Sequence, residues 1–392
     1  MICGGSIGGL FVAAYLRKIG WQVEICERAG AELSGRGAGI VTHEPLLDML
    51  SELQVDLDGL GVTVRERVVF DRMGDDVMRV PFTQIVTSWD RIHHLLRTSF
   101  PDDCYHLGHV LTGYRQHADH IVASFSNGRE IKADLLVGAD GFASATRGLM
   151  QPAVTPVYSG YVVWRALARE SDLGSEVHAR IFNSFGIFAP SMTQIIGYPI
   201  AGAGNDLRAG HRRYNFVWYS RADEAKLRDM LVDRNGKSHP VTIPPPLIRD
   251  DILAEMAEDA RRRLPPDFNA MLDVSERPFF TPIYDHHSPV MGQGRVALAG
   301  DAACVARPHV GMGVTKAACD ARALAMSLRD QPDVESALHA YSAERVPASR
   351  AAFERSRRLG AYIFEGQGDD NRDGRSHPHL DEIVELTATM VA

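Results

Sequence analysis

Gly4-Gly5-Ser6-Ile7-Gly8-Gly9 is followed by an Ala/Leu-rich stretch, Leu10 to Gly20, and then by Trp21-Gln22-Val23-Glu24-Ile25-Cys26-Glu27, in which apolar and polar residues alternate. A glycine turn, a helical stretch stopped by glycine and an alternating run read as strand, turn, helix, strand. That unit opens a doubly wound dinucleotide-binding domain. Its glycines let backbone N–H groups approach a pyrophosphate, and the helix N-terminus adds partial positive charge. The nearest fit to Gly-x-Gly-x-x-Gly is Gly4-x-Ser6-x-x-Gly9, with serine in the middle and Ile7 behind it. Glu27, followed by Arg28, ends the next strand at about the 20-residue spacing where a carboxylate accepts hydrogen bonds from a ribose diol. The bland alternative is a tight turn with a solvent-facing glutamate. Only Met1-Ile2-Cys3 precede the glycines, so either the first strand is short or the start is assigned late.

The rest of the composition narrows the class. A chain of 392 residues exceeds what one core usually supports, so two packed domains are expected. With 45% hydrophobic and 23% charged residues it is a globular protein, not a disordered one. A net charge of −8 gives no general attraction to nucleic acid or anionic lipid, which favours a small-molecule partner. Cys3, Cys26, Cys104, Cys304 and Cys319 are scattered and never spaced Cys-x-x-Cys, against both a disulfide framework and a zinc site. No metal is expected, and the His286-His287 pair reads as a solvated turn. With no apolar run near the roughly 18 residues of a membrane span, and no signal-peptide plan at the start, a cytoplasmic location is expected. Oligomeric state is left open, a homodimer included.

Along the chain, alternating β-branched and charged residues from Val68 to Val86 suggest an excursion into a second element before a helix from Asp90 to Ser99. Ile121 to Phe125 with an Asn127-Gly128 turn leads to the apolar strand Leu135-Leu136-Val137. From Val154 to Ile283 the sequence is β-rich and aromatic, with Tyr161 to Arg165, Gln194 to Ile200 and Asn215 to Tyr219 as the clearest strands. Arg295 to Ala299 is a further buried strand, and Gly313 to Ser327 an Ala-rich helix. The expected division is 1–67, 88–153 and 284–360 for a discontinuous nucleotide domain, and 68–87 with 154–283 for an antiparallel-sheet domain. Residues 361–392 form a tail, with a linker from Glu365 to Pro378 and a short amphipathic helix from His379 to Met390.

Two more motifs follow buried strands: Gly138-Ala139-Asp140-Gly141 running to Arg147, and Gly300-Asp301-Ala302-Ala303, continued by Arg307-Pro308-His309 and Gly311-Met312-Gly313. An aspartate at a strand end accepts hydrogen bonds from sugar-alcohol hydroxyls, and nearby glycines admit a flat ring against the backbone. In this order the three motifs resemble the class A flavoprotein monooxygenases, the para-hydroxybenzoate hydroxylase family. Within it, the resemblance points to the 2,6-dihydroxypyridine 3-hydroxylase group. It is carried by Gly4 to Ile7, Leu33-Ser34-Gly35 into Gly39-Ile40-Val41, Tyr158-x-Gly160-Tyr161-Val162-x-Trp164-Arg165, and Arg307-Pro308-His309 with Lys316-Ala317. It runs from Met1 to about Arg358.

The resemblance implies an α/β fold, a doubly wound, glutathione-reductase-like FAD domain joined to an antiparallel substrate sheet. It implies that Ser6 and Gly9 lie near the FAD pyrophosphate, Glu27 on the adenosine ribose and Asp301 on the ribityl chain. Gly311 and Gly313 would pack against the isoalloxazine, and Asp140 would serve both the pyrophosphate and the nicotinamide nucleotide. Two departures stand out. Trp89 occupies the helix head where many members carry a flavin-contacting arginine, and Val314-Thr315-Lys316 replaces a polar pair, so neither contact is carried over.

The implied reaction uses NADH or NADPH, binding transiently, to reduce FAD. Dioxygen then gives a flavin hydroperoxide that hydroxylates a small electron-rich aromatic or N-heteroaromatic ring. Pocket candidates are Trp164, Phe185, Tyr198 and Trp218, each also explicable as core packing, and His43 in the Gly39 to Pro45 segment. His309 is a candidate polar group or proton relay. Arg165 either binds an anionic substrate oxygen or pairs with a structural carboxylate. The competing classes are a flavoprotein oxidase or dehydrogenase, marked by peroxide without hydroxylation, and a non-catalytic flavin-binding protein.

Overall fold

The computed structural model describes residues 1–33, 39–364 and 379–390. Ser34 and Gly35 of the resemblance, and the linker expected at 365–378, lie outside them.

Among the described residues the chain is a mixed α/β protein with two large sheets and a small one. Its first sheet has six strands in the order Gly292–Gln293, Val296–Leu298, Leu136–Gly138, Ile2–Cys3, Ile25–Cys26, Tyr105–His106. All pairings are parallel except the outermost, between Gly292–Gln293 and Val296–Leu298. The alternating run after Gly20 forms ladder pairs only at Ile25–Cys26, although Val23 and Ile25 are buried as the alternation requires. Helix Ile7–Lys18 follows the glycine turn and packs on helix Gly313–Asp330. Small residues allow that approach: a Cβ on Gly8 would stand 3.6 Å from Ala317 Cβ. Helix Val334–Ala361, which the sequence reading did not mark, packs against Gly313–Asp330 in turn.

The second sheet has nine strands, in the order Cys304–Val305, Phe279–His287, Val157–Arg169, Arg213–Arg221, Gln194–Ile200, Phe185–Phe188, Val62–Phe70, Asp76–Ser88, Gly39–Val41. It therefore draws in Gly39–Val41 and Cys304–Val305, stretches counted above with the nucleotide domain. Period-two alternation splits its side chains. Val162, Trp164, Phe216 and Trp218 join one core, and Tyr161, Val163, Val217 and Tyr219 another on the opposite face.

The first of those faces is covered by helices in a region read as β-rich throughout. Helix Asp250–Arg263 buries Ile252, Met256 and Ala260, one residue per turn, with Asp250 and Asp251 in its first turn and Arg261 to Arg263 in its last. Spacing and end charges both suit a surface helix. Its strongly polar exposed face hid it from a reading led by aromatic strands.

A small sheet, Leu111–Gln116, Ile121–Phe125 and Glu130–Ala133, turns at Gly128 with φ +81°. The described residues resume at His379, with helix Leu380–Leu386, and run to Met390. No described helix is long and apolar enough to cross a membrane.

Candidate active site

Gly4 leaves the first strand at φ +108°, where a Cβ would lie 2.2 Å from the Ala139 carbonyl oxygen. A Cβ on Gly9 would lie 1.9 Å from the Gly4 carbonyl oxygen. Both positions admit only glycine, because backbone meets backbone there. The helix behind this turn has no acidic residue in its first turn, and the Ser6 hydroxyl caps none of its N–H groups. These donors face a cavity of about 330 Å³ lined by Gly4, Ser6, Glu27, Arg28, Asp140 and Gly141, among others. Ile7 points the other way, into the core.

Glu27 is buried on that cavity wall and holds the loop itself, accepting from Gly5 N (2.8 Å) and Ala29 N (2.8 Å). It is not the solvent-facing glutamate of the bland alternative. Glu27→Ala would leave two N–H groups without an acceptor, each bond to a charged group being worth about 1.5–3 kcal/mol. FAD affinity is expected to fall by at least about tenfold, read by titrating apoprotein and following flavin fluorescence. Unchanged affinity would move the adenosine away from this loop. Asp140 also spends its oxygens on protein, accepting from the Ser144 hydroxyl, Thr146 N (2.9 Å) and Thr146 Oγ1 (3.0 Å) at the head of helix Ala145–Met150.

Asp301 follows the strand Val296–Leu298 and is exposed to a cleft, with no hydrogen bond to its carboxylate from the described residues. Surrounding protein pushes its pKa up, against the pull of Lys316. The turn that presents it is built from below. Asp320 accepts from Gly300 N (3.0 Å) and Arg345 Nε (2.9 Å), and Lys316 donates to the Gly300 carbonyl oxygen (2.8 Å). Burial pulls the Lys316 pKa down, but Asp320 above all holds it above the ordinary value.

A second cavity, about 440 Å³, lies between this turn and the large sheet. Its wall includes Asp301, Gly311 and Gly313 on one side and Arg165, Phe185, Tyr198, Val217 and Tyr219 on the other. Gly311 is left-handed at φ +63°, and a Cβ on Gly313, the first residue of its helix, would meet nothing within 4 Å. An open helix N-terminus, a free aspartate and a Cβ-free approach fit the flavin and ribityl chain of FAD. Trp89 also lines this cavity and stacks on His93 (4.5 Å, 13°).

Some expected pocket residues stand elsewhere. Phe185 and Tyr198 are on the wall, stacked at 5.2 Å. Trp164 and Trp218 are not: they point to the opposite face, Trp164 against Phe280 (5.2 Å) and Trp218 donating to Thr193 Oγ1 (2.7 Å). One step along each strand reverses the face, so their neighbours Arg165 and Tyr219 take the places expected of them. Tyr219 was the residue missed.

His309 stands one layer behind the wall, stacked on Tyr219 (4.1 Å, 22°). Its Nδ1 faces Gln194 Oε1 (2.9 Å) and its Nε2 the Tyr161 hydroxyl (2.9 Å), so Nδ1 carries the proton and Nε2 accepts. Burial, then Arg307, lowers its pKa to about 3, so it is neutral. His43 is buried as well, with Nδ1 against Thr315 Oγ1 (2.9 Å), and is not on the cavity wall.

The His286-His287 pair is not a solvated turn. His286 is buried at the end of strand Phe279–His287, its Nε2 accepting from Arg147 (3.0 Å), and His287 Nε2 lies against the Val346 carbonyl (3.2 Å) and Ser349 Oγ (3.1 Å). Strand pairing with Cys304–Val305 turned an apparently polar pair inward. Among the described residues no His, Cys, Asp and Glu group has metal-site geometry.

Comparison with known proteins agrees with this geometry. Residues 276–356 match the family described as FAD binding domain, and residues 158–285 one described as FAD binding domain-like. The chain is 30% identical to 2,6-dihydroxypyridine 3-monooxygenase of Paenarthrobacter nicotinovorans over 93% of this chain and 91% of that protein. It is 28% identical to aurachin C monooxygenase/isomerase of Stigmatella aurantiaca, over 92% and 88%. The solved 2,6-dihydroxypyridine-3-hydroxylase from Arthrobacter nicotinovorans superposes with a TM-score of 0.87 at 29% identity, covering 96% of this chain and 95% of that one. Klebsiella pneumoniae HpxO, solved with FAD and uric acid, shares the fold at a TM-score of 0.75 and 22% identity, over 98% and 92%. The chain belongs to the class A FAD-dependent monooxygenases, the family of 2,6-dihydroxypyridine 3-monooxygenase, with FAD as cofactor and NAD(P)H as electron donor.

Proposed function

We propose that the protein hydroxylates a small electron-rich aromatic or N-heteroaromatic ring of the dihydroxypyridine kind, received as an anion by Arg165. The observation that carries this is the Arg165 guanidinium on the cavity wall without a carboxylate partner among the described residues. Among the described residues the structural ion pair left open from the sequence has no carboxylate, which supports the substrate-binding alternative. A cation so placed favours the deprotonated hydroxypyridine, whose ring is the richer in electrons. Tyr198, its pKa pushed up to about 12 by burial, stays protonated near Arg165. Ile196, Val217 and Phe185 supply an apolar surround that keeps water from the reacting edge.

FAD, when bound, would supply the redox chemistry that links NAD(P)H oxidation to the activation of dioxygen. Ser6, Gly9, Glu27 and Arg28 would hold its adenosine and pyrophosphate, Asp301 its ribityl chain, and Gly311 and Gly313 its ring. His309, neutral and doubly hydrogen-bonded, fixes Tyr219 from behind and exchanges no proton with the ring directly. The dihydroxypyridine class is suggested by the relative named for it, and the size of a cavity shared with a flavin ring favours one or two rings over a steroid. The five cysteines are all free, in keeping with a reducing cytoplasm.

The test is NADH consumption with product mass measured in the same wells, over hydroxylated pyridines and phenols. Arg165→Met is expected to raise KM for 2,6-dihydroxypyridine by about tenfold or more, the worth of a charge-assisted hydrogen bond, at unchanged FAD content. Peroxide without hydroxylated product for every ring, or an unchanged KM in the variant, rejects the reading.

A further inference from the structure

The last described stretch, Thr387–Met390, reaches the ring cavity and leaves Ala388 on its wall. Ala388 is left-handed, φ +53°, a conformation an alanine holds only when its surroundings impose it. The bonds that impose it come from separate parts of the fold. Ala388 N donates to the His309 carbonyl oxygen (2.9 Å), and Gln84 Nε2 donates to the Ala388 carbonyl oxygen (3.2 Å). Arg355, on the long helix, donates to the carbonyl oxygens of Met390 (2.6 Å) and Leu386 (3.1 Å). Beneath them, buried Arg67 donates to the carbonyl oxygens of Val384, Thr387 (2.7 Å) and Ala388 (3.4 Å).

Arg67 has no carboxylate partner among the described residues. Its charge is met by the carbonyl ends of helix Leu380–Leu386 and by the rings of Phe82 (4.1 Å) and Phe185 (5.3 Å). A buried cation of this kind is tolerable only with those carbonyls in place, so Arg67 and the segment require each other. Phe185, whose ring meets the same guanidinium, stands on the cavity wall. On the flavin side the fit is close, because a Cβ on Gly311 would stand 3.0 Å from Ala388 Cα.

We propose that Thr387–Met390 is a specificity-determining wall of the active site, in which Ala388 limits the size of ring admitted beside the flavin turn and Arg67 is the positioning residue. The proposal rests on the reading of this cavity as the substrate site.

The test uses FAD-loaded full-length protein. Ala388→Leu projects volume into a packed site and is expected to raise the KM ratio of 2,4-dihydroxyquinoline to 2,6-dihydroxypyridine by about tenfold. Arg67→Met is expected to speed hydrogen exchange of the Ala388 amide at least about tenfold and to raise iodide quenching of bound flavin, with FAD retained. Arg67→Lys should lie between it and wild type. An unchanged KM ratio in Ala388→Leu, or wild-type exchange and quenching in Arg67→Met, overturns the wall. If wild type turns over neither ring, the substrate reading fails, and exchange with quenching still decides the wall. If Arg67→Met does not fold, Ala388→Leu decides it.

Discussion

Replacing Asp320 with alanine is expected to destabilise the FAD-loaded protein by about 3–5 kcal/mol, the usual cost of taking one partner from a buried ion pair. Asp320 is fully buried, and Lys316 is nearly so at 2%. The carboxylate neutralises Lys316 (3.5 Å) and Arg345 (2.9 Å) while accepting from Gly300 N. Without it two cations face each other in the core, and the turn that presents Asp301 loses its anchor. Against a total stability of about 5–15 kcal/mol, such a loss removes a large part of the margin. FAD release should accompany it, because the same turn carries Asp301, proposed to hold the ribityl chain. Asp320→Asn keeps an acceptor for Gly300 N but not the charge, and should fall between. Urea denaturation followed by flavin and tryptophan fluorescence measures both. A loss below about 1 kcal/mol with FAD retained would mean that the network is not what fixes the turn.

The pair Lys316 and Asp320, four residues apart, was in principle legible on the Ala-rich helix, as an i,i+4 pair on a face otherwise apolar. It went unread because charged pairs at that spacing are normally solvated. The glycine loop, Glu27 and the aspartate after the buried strand were legible because each is local: a turn and two strand ends. The cavity wall was not, since it depends on which face of each strand turns inward. Trp164 and Trp218 are the more conspicuous residues, but Arg165 and Tyr219 have the right parity. The tryptophans marked the correct strands and the wrong positions on them, whereas Phe185 and Tyr198 fell on the wall. His286 and the wall at Ala388 were beyond reach for a different reason. Each is set by a partner far along the chain, Cys304–Val305 for the first and Arg67, Gln84 and His309 for the second.

Lowering the pH from 7.5 to 5.0 is expected to weaken the protein steeply, through three buried histidines. Burial is the first cause in each. It lowers His43 to about 4, with Arg67 and Arg355 adding to it, and His286 to about 3, with Arg147, Lys316 and His287 adding. His309 falls to about 3 beside Arg307. An unfolded histidine titrates near 6.5, so between about 6.5 and 3–4 the unfolded chain binds protons that the native chain refuses. Stability from these groups is therefore complete above 6.5 and lost as pH falls through that window. At pH 5.0 the loss approaches about 2 kcal/mol per group as an upper bound, and several kcal/mol for the three. Carboxylates held in native ion pairs contribute little there, since their unfolded values lie near 4, and His93 and His287, lowered by burial as well, add to the loss in the same direction. Urea midpoints at pH 7.5, 6.5, 5.75 and 5.0 should be nearly level across the first step and then fall. His309→Gln, which keeps a donor and an acceptor but has no proton to take up, should make the slope shallower, at some cost in stability at pH 7.5. Midpoints equal at pH 7.5 and 5.0, or histidine NMR signals for all three titrating near 6.5 in the native protein, would show that these rings are not the buried neutral groups described.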